Sequence, residues 1–277
     1  MAQPDFLVIG AQKAGTTWLD QVFKSSPEIW TPPVKELQFF NEFFMADTFK
    51  WTKRHRESNA SSFIRYHAER QKIDWQQLSA AIHIGEEKNV DLDWYFKTFD
   101  FAPKSCKKGE MTPEYSLLSD NDVGRLASYI PKTKIILCIR DPFARAISGI
   151  RMRLLQQGFD KNSDSQSVDN FVTNCASDWD VIERGNYSRI IETFSKHFES
   201  SNLLVLLSDD MLNHPQRVIL KVSEFLGIDS ESFSMNLSKK VHEGLKIDIS
   251  EIAQNKVRDY QQKNIDWYEK NEEKFRV

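Results

Sequence analysis

A lysine set between two glycines and followed by two threonines is the first reactive constellation in this chain: Gly10-Ala11-Gln12-Lys13-Ala14-Gly15-Thr16-Thr17-Trp18. The glycines permit a tight turn, Lys13 adds a full positive charge, and Thr16 and Thr17 place hydroxyl donors where a helical pattern begins. Backbone N–H groups at such a turn and helix start stabilise an anion. Gly10 and Gly15 have Walker A spacing, but Thr16 stands where the Walker lysine belongs and Lys13 lies inside the turn. That shift carries the charge away from a triphosphate's end and toward a single transferring or bridging group. The alternative is an ordinary strand-to-helix turn with a solvated lysine.

A carboxylate follows. Glu36 lies in Val34-Lys35-Glu36-Leu37-Gln38-Phe39-Phe40-Asn41, embedded among aromatic residues. Burial raises such a group's pKa while Lys35 or Lys13 lowers it, which suits a general base. A surface glutamate beside a phenylalanine pair that only packs the core is an equal alternative. Further on, Gly109-Glu110-Met111-Thr112-Pro113-Glu114-Tyr115 reads as a compact turn. Its Glu110 and Glu114 are acceptor contacts or helix-terminal charges. Arg140 and Ser148 form the last cluster. An arginine recognises a phosphate in bidentate fashion and a serine hydroxyl adds a donor; pairing of Arg140 with a carboxylate such as Asp141 is the alternative.

These groups need a frame. Phe6 to Ile9, Ile135 to Ile139 and Leu203 to Leu207 are short apolar runs of the kind buried on both faces of a parallel sheet. Helical spacing follows each one. Trp18, Leu19, Val22 and Phe23 follow the first; Ala146, Ile147, Ile150 and Leu154 follow the second, behind an Asp141 N-cap and Pro142. Pro215 to Leu226, closed by Gly227, follows the third. Alternating strands and helices predict an α/β fold with a central parallel sheet flanked by helices. Arg140 then falls at a strand's carboxyl end, where open α/β sheets bind ligands. Residues 46–90 are polar and read as an insertion over the site, whose basic run Lys53, Arg54, His55, Arg56 meets an anionic substrate or is a solvated face. Trp75, Leu78, Ala81 and Ile82 have helical spacing, and Gln156 to about Asp169 reads as a loop. Ile190, Ile191, Phe194 and Phe198 mark a helix, and Ile249 to Phe275 a long one.

The 277 residues, with 40% hydrophobic and 12% aromatic content, suit one large domain, 1–277. A formal net charge of −3 gives no nucleic-acid footprint. Cys106, Cys138 and Cys175 lack metal or disulfide spacing and fit reduced thiols in a cytoplasm. Without a basic leader or an apolar stretch of ~18 residues, the expectation is a protein without membrane attachment. Its oligomeric state is not encoded in any such pattern.

The loop at Lys13 resembles the 5′-phosphosulfate loop of sulfotransferases that use 3′-phosphoadenosine 5′-phosphosulfate (PAPS). Glu36-Leu37-Gln38-Phe39-Phe40-Asn41 is similar to the catalytic-glutamate segment of heparan sulfate N- and 3-O-sulfotransferases, and Glu110-Met111-Thr112-Pro113 to their substrate-side segment. Arg140-Asp141-Pro142, Arg145 and Ser148 resemble the 3′-phosphate site, and Asn236-Leu237-Ser238-Lys239-Lys240 the late basic loop. The resemblance implies a P-loop-like, nucleotide-kinase-like sulfotransferase fold without a metal. It implies Glu36 as base and Lys13 on the leaving phosphate oxygen, with Gln12, Lys13, Ala14, Gly15, Thr16, Thr17 and Trp18 around the 5′-phosphate. Arg140 and Ser148 would hold the 3′-phosphate, leaving the product PAP after transfer, with Lys239 and Lys240 closing on the cofactor. Phe39, Glu110, Met111, Glu114 and Tyr115 would face the acceptor.

Met111 replaces a lysine of the glycan enzymes, and no histidine takes the place of the base in hormone-type enzymes. The chain therefore looks most like stand-alone bacterial tailoring sulfotransferases acting on the hydroxyl or amine of a small molecule, such as a saxitoxin-type alkaloid. A glycan sulfotransferase, an ATP-dependent kinase using Mg²⁺ and Asp209, and a non-catalytic adenine-nucleotide module are the rival readings.

Overall fold

The computed structural model describes residues 1–45, 50–70, 73–86, 90–234 and 247–277. Five strands, β1 (Phe6–Gly10), β2 (Ile29–Trp30), β3 (Lys107–Met111), β4 (Lys134–Ile139) and β5 (Leu203–Leu207), form one sheet in the order β2-β3-β1-β4-β5. Every pairing is parallel. Parallel neighbours require crossovers, and helices supply them. The chain leaving β1 runs toward β2 and the chain leaving β4 runs toward β5, on opposite sides. The carboxyl ends of β1 and β4 thus bound the crevice in which such sheets bind ligands.

The helix α1 (Thr16–Lys24) begins directly after the lysine turn, with Gly15 as its N-cap at φ 97°. Its Trp18, Leu19, Val22 and Phe23 are buried, as the spacing requires. A side chain at Gly15 is excluded twice over: the backbone is left-handed, and a Cβ there would lie 2.6 Å from Met211 Sδ. After β2 come α2 (Phe39–Met45), α3 (Thr52–Ala68), α4 (Trp75–Gly85) and α5 (Leu92–Asp100). Helices α3 and α4 pack on each other and make up the described part of the expected insertion. Asp74 and Asp91 cap α4 and α5 through their carboxylates.

Strand β3 corrects the reading of Gly109 to Tyr115 as a turn. Only Thr112 onward bends, into a single-turn helix at Pro113–Leu117, while Lys107–Met111 lies in the sheet beside β1. Its sequence, Lys-Lys-Gly-Glu-Met, has neither the apolar run nor the alternation that marks a strand. Position in the sheet buries it instead.

Beyond α6 (Asp120–Tyr129) and β4, α7 (Pro142–Gln156) starts as expected, with Asp141 accepting the Ala144 amide at 2.6 Å. The expected loop to Asp169 is shorter than read. Asp164 caps a helix, α8 (Ser165–Ala176), followed by α9 (Trp179–Glu183) and α10 (Tyr187–His197). After β5, α11 (Ser208–Asn213) and α12 (Pro215–Leu226) precede the final α13 (Glu251–Asn271). Helix α13 packs on α7 and α8, where Ile150, Leu154, Val172 and Val257 make a second core apart from the one around the sheet.

Gly109 marks the tightest contact within the sheet: a Cβ there would meet the Phe6 carbonyl oxygen at 2.3 Å and the Phe6 ring at 2.6 Å. Gly109→Ala is expected to lower stability by about 1–3 kcal/mol, the usual cost of overpacking, because the obstacle is backbone and cannot swing away. Urea denaturation monitored by tryptophan fluorescence reads this as a lower midpoint with an unchanged slope.

Candidate active site

β1 and β4 deliver the lysine turn and Arg140 to the same end of the sheet. Lys13 has a left-handed backbone, φ 69°, and its carbonyl accepts from Arg140 Nη1 at 3.4 Å. Tyr187, on α10, donates its hydroxyl to the Arg140 carbonyl at 2.8 Å and so ties down the strand end. The ammonium of Lys35 reaches in from the other side, 3.2 Å from Thr17 Oγ1 and 3.6 Å from Glu36 Oε1. Three cations thus converge on the open end of α1, whose first N–H groups have no intrahelical acceptor. Burial holds the Lys13 ammonium below its ordinary pKa, and Arg140 and Lys35 add to the fall while Glu36 opposes it. Such a cluster is relieved by an anion.

Glu36 and Gln38 are also left-handed, with φ 65° and 58°. Non-glycine residues in that region persist where their surroundings over-determine them, which is common at functional sites. The restraints here come from beneath the turn. Glu110 Oε2 accepts the Leu37 amide at 3.3 Å, and Thr112 Oγ1 accepts the Gln38 amide at 3.3 Å. Gln38 Nε2 donates to Glu114 Oε2 at 2.9 Å and lies 3.4 Å from Glu36 Oε2. Gln12 Nε2 donates to Glu114 Oε1 at 3.0 Å, and Arg184 lies 3.7 Å from the same oxygen. Glu114 therefore joins the lysine turn to the glutamate turn.

The consequence for Glu36 is electrostatic. Burial pushes its carboxyl up, and the neighbouring Glu114 pushes it further, while Lys35 and Gln38 pull it back; the result is about 7. A carboxylate poised there accepts a proton from a hydroxyl or amine far better than one near ~4.3.

The sequence-predicted residues separate into two groups. Gln12, Lys13, Gly15, Thr17, Glu36, Arg140 and Ser148 all keep solvent access around the crevice. Ser148 lies on α7 beside Gly149, whose Cβ would come within 4.0 Å of Lys13 Cγ, so this helix flanks the lysine turn. Ala14, Thr16 and Trp18 are buried. The expected acceptor contacts Phe39, Glu110, Met111, Glu114 and Tyr115 are buried as well. Phe39 stacks on Tyr95 at 4.5 Å between ring centres, and Tyr115 meets Phe40 at 5.5 Å. Glu110 and Met111 are buried on β3, Phe39 at the start of α2, and Glu114 and Tyr115 in the single-turn helix after β3, beneath the glutamate turn. Lys239 and Lys240 lie outside the described residues.

Sequence reasoning passed over Gln38, Arg184 and Tyr187. Gln38 sits two residues past Glu36, a spacing that signals nothing without the double left-handed turn. The other two reach the site from helices that only the fold brings near. Among the described residues no cluster of three or more His, Cys, Asp or Glu side chains could hold a metal ion, and no helix is long and apolar enough to cross a membrane.

A phosphate-type cradle on a parallel sheet, with a poised carboxylate across from it, defines a group-transfer enzyme of P-loop-like fold. The model of the sulfotransferase family matches residues 4–232, and the chain belongs to that family. Mouse heparan sulfate glucosamine 3-O-sulfotransferase 3B1 is 26% identical over 171 residues, 60% of this chain and 42% of that protein. The membrane-associated sulfotransferase kil1 of Dictyostelium discoideum is 28% identical over 145 residues, 52% of this chain and 22% of that one. The chain therefore spans less than half the length of these relatives. Among solved structures, a sulfotransferase from Alicyclobacillus acidocaldarius superposes with TM-score 0.64 at 20% identity, covering 98% of this chain and 96% of that one. The sulfotransferase domain of the Synechococcus PCC 7002 olefin synthase gives 0.56 at 14% identity, covering 97% and 95%. The fold is the P-loop-like sulfotransferase fold.

Because Glu114 raises the Glu36 carboxyl through space, Glu114→Gln is expected to move Glu36 titration below about 7, toward the ordinary carboxylate range. Carboxyl-carbon NMR of protein labelled at glutamate, with Glu36→Gln used for assignment, measures the midpoint directly.

Proposed function

We propose that this sulfotransferase takes its sulfuryl group from PAPS and passes it to a hydroxyl or amine nitrogen of a small molecule, with Glu36 as general base. The observation that carries this reading is the Glu36 carboxyl, poised near pH 7 and set across Lys35 from the lysine turn. In this reading the uncapped start of α1 with Lys13 and Thr17 takes one anionic group of the bisphosphorylated donor, and the neighbouring Arg140 with Ser148 takes the other. Bound there, PAPS would supply the sulfuryl group and a leaving phosphate.

Glu36 takes the acceptor's proton as the acceptor oxygen or nitrogen bonds to sulfur and the bond from sulfur to the phosphate oxygen breaks. Lys13 stabilises the negative charge that grows on that phosphate oxygen. Arg140, braced by Tyr187, and Ser148 fix the donor's register. The turns at Lys13 and Glu36 are joined through Gln12, Glu114 and Gln38, so the two groups keep one spacing through the reaction.

A small-molecule acceptor is favoured over a glycan because Met111 holds the place of the lysine in the glycan enzymes, and an alkaloid of the saxitoxin type is a suitable first acceptor to try. The relatives named for heparan sulfate support a glycan as the second reading. We also read residues 1–277 as one domain acting in the cytoplasm, where its cysteines, all free, would stay reduced.

Glu36→Gln keeps the shape and removes the base. Turnover measured with radiolabelled PAPS against a panel of alcohols, phenols, amines and glycans should fall by ~10²–10⁴ while PAP affinity holds. In the unsubstituted enzyme kcat/KM should rise as pH increases through about 7, since the base works as its carboxylate and is protonated below that value. Near-normal turnover in the variant would move the base elsewhere.

Calorimetry separates the two ends of the crevice. Arg140→Ala should weaken PAP strongly and adenosine 5′-phosphosulfate hardly at all, because the latter lacks the 3′-phosphate. An equal loss for both ligands would give Arg140 a structural role only.

A further inference from the structure

We propose that helix α3 is a clamp on the glutamate turn: His55 and Arg56 are positioning residues that grip the two carbonyls on either side of Glu36. The proposal rests on the reading of Glu36 as the base. His55 Nε2 lies 3.2 Å from the Lys35 carbonyl oxygen, and Arg56 Nη1 donates to the Leu37 carbonyl at 3.1 Å. These are the residues immediately before and after Glu36.

Asn59, one turn along α3, has its Nδ2 2.7 Å from the His55 carbonyl oxygen and 3.2 Å from His55 Nδ1. In the tautomer in which Nδ1 accepts from this amide, Nε2 carries the hydrogen that donates to the Lys35 carbonyl. Arg56 is equally constrained. It is 1% exposed, its Nη2 donates to Glu42 Oε2 at 2.8 Å, and its guanidinium lies 5.3 Å over the Trp94 ring. A buried arginine paired with a carboxylate and lying over an indole is a rigid donor, and its Nη1 reaches the glutamate turn.

The turn needs such a grip. Glu110 and Thr112 hold its amides from the β3 side, and α3 holds its carbonyls from the opposite side. Two left-handed residues in three are thereby fixed through both kinds of backbone group. The charged groups around Glu36 are Lys35 on the same turn, Lys13 after β1, and Glu114 after β3; on α3, His55 reaches the Lys35 carbonyl and Arg56 is paired with Glu42 of α2. Release of the turn would let the carboxylate tip toward water and away from Glu114.

Carboxyl-carbon NMR of the full chain tests this without ligand. In His55→Ala the Glu36 midpoint should fall clearly below about 7, and in His55→Gln, whose amide again donates toward Lys35, it should return. Arg56→Lys should lower it too. PAP affinity by calorimetry and the far-UV spectrum should stay unchanged in the His55 variants, which a general loss of folding would not allow. An unchanged midpoint in both His55→Ala and Arg56→Lys overturns the clamp. A Glu36 midpoint in the ordinary carboxylate range in the unsubstituted protein overturns it as well. The base reading is judged separately, by the turnover of Glu36→Gln, so either can fail without the other being mistaken for it.

Discussion

A carboxylate that hardly meets solvent underlies the whole site. Glu110 is 2% exposed, and burial pushes its pKa up while four donors pull it back. Tyr115 and Tyr95 donate their hydroxyls to Oε1 at 2.6 and 3.1 Å, and Thr112 and the Leu37 amide donate to Oε2 at 2.7 and 3.3 Å. A buried polar group without partners is costly, so the aromatic cluster, the strand β3 and the glutamate turn are bound to a common geometry. The Phe39, Phe40, Tyr95 and Tyr115 rings that pack around it supply much of the apolar burial at this end of the sheet. Stability and active-site shape are therefore the same set of contacts.

Above that foundation the site works by opposed charges. The chain as a whole carries a formal charge of only −3, yet Lys13, Lys35 and Arg140 meet at one crevice. Burial, with repulsion from Arg140 and Lys35, holds the Lys13 ammonium below its ordinary pKa. Glu36 is pulled toward ionisation by Lys35 and away from it by burial and Glu114, and the balance leaves it near neutrality. A carboxylate and a cluster of cations can sit this close because burial and the intervening charges shift Glu36 and Lys13 toward their neutral forms.

Much of this frame was legible in the sequence. Phe6–Gly10, Lys134–Ile139 and Leu203–Leu207 announce themselves as dense apolar runs, and Asp141-Pro142 announces the helix after β4 by its cap. Lys13 and Arg140 could be placed at strand ends for that reason. β3 was not legible, because a Lys-Lys-Gly-Glu-Met strand is buried by its neighbours and not by its own composition. α8 was missed for a related reason: its first residues, Ser165 to Asp169, fall in the polar stretch read as loop, and its apolar stripe makes sense only once α13 is seen to cover it.

The chain's local grammar, which is the order of apolar runs, caps and glycines, by itself determined an α/β sheet and the positions of Lys13 and Arg140 at the ends of its strands. These signals act over a few residues and survive without tertiary contacts. Only the folded molecule decided whether Glu36 is an ordinary surface carboxylate or a poised one. That answer depends on Glu114, on Glu110 beneath it and on His55 and Arg56 beside it, residues brought together from distant parts of the chain. Desolvation and Coulomb interactions depend on distance in space, and distance along the sequence does not report it.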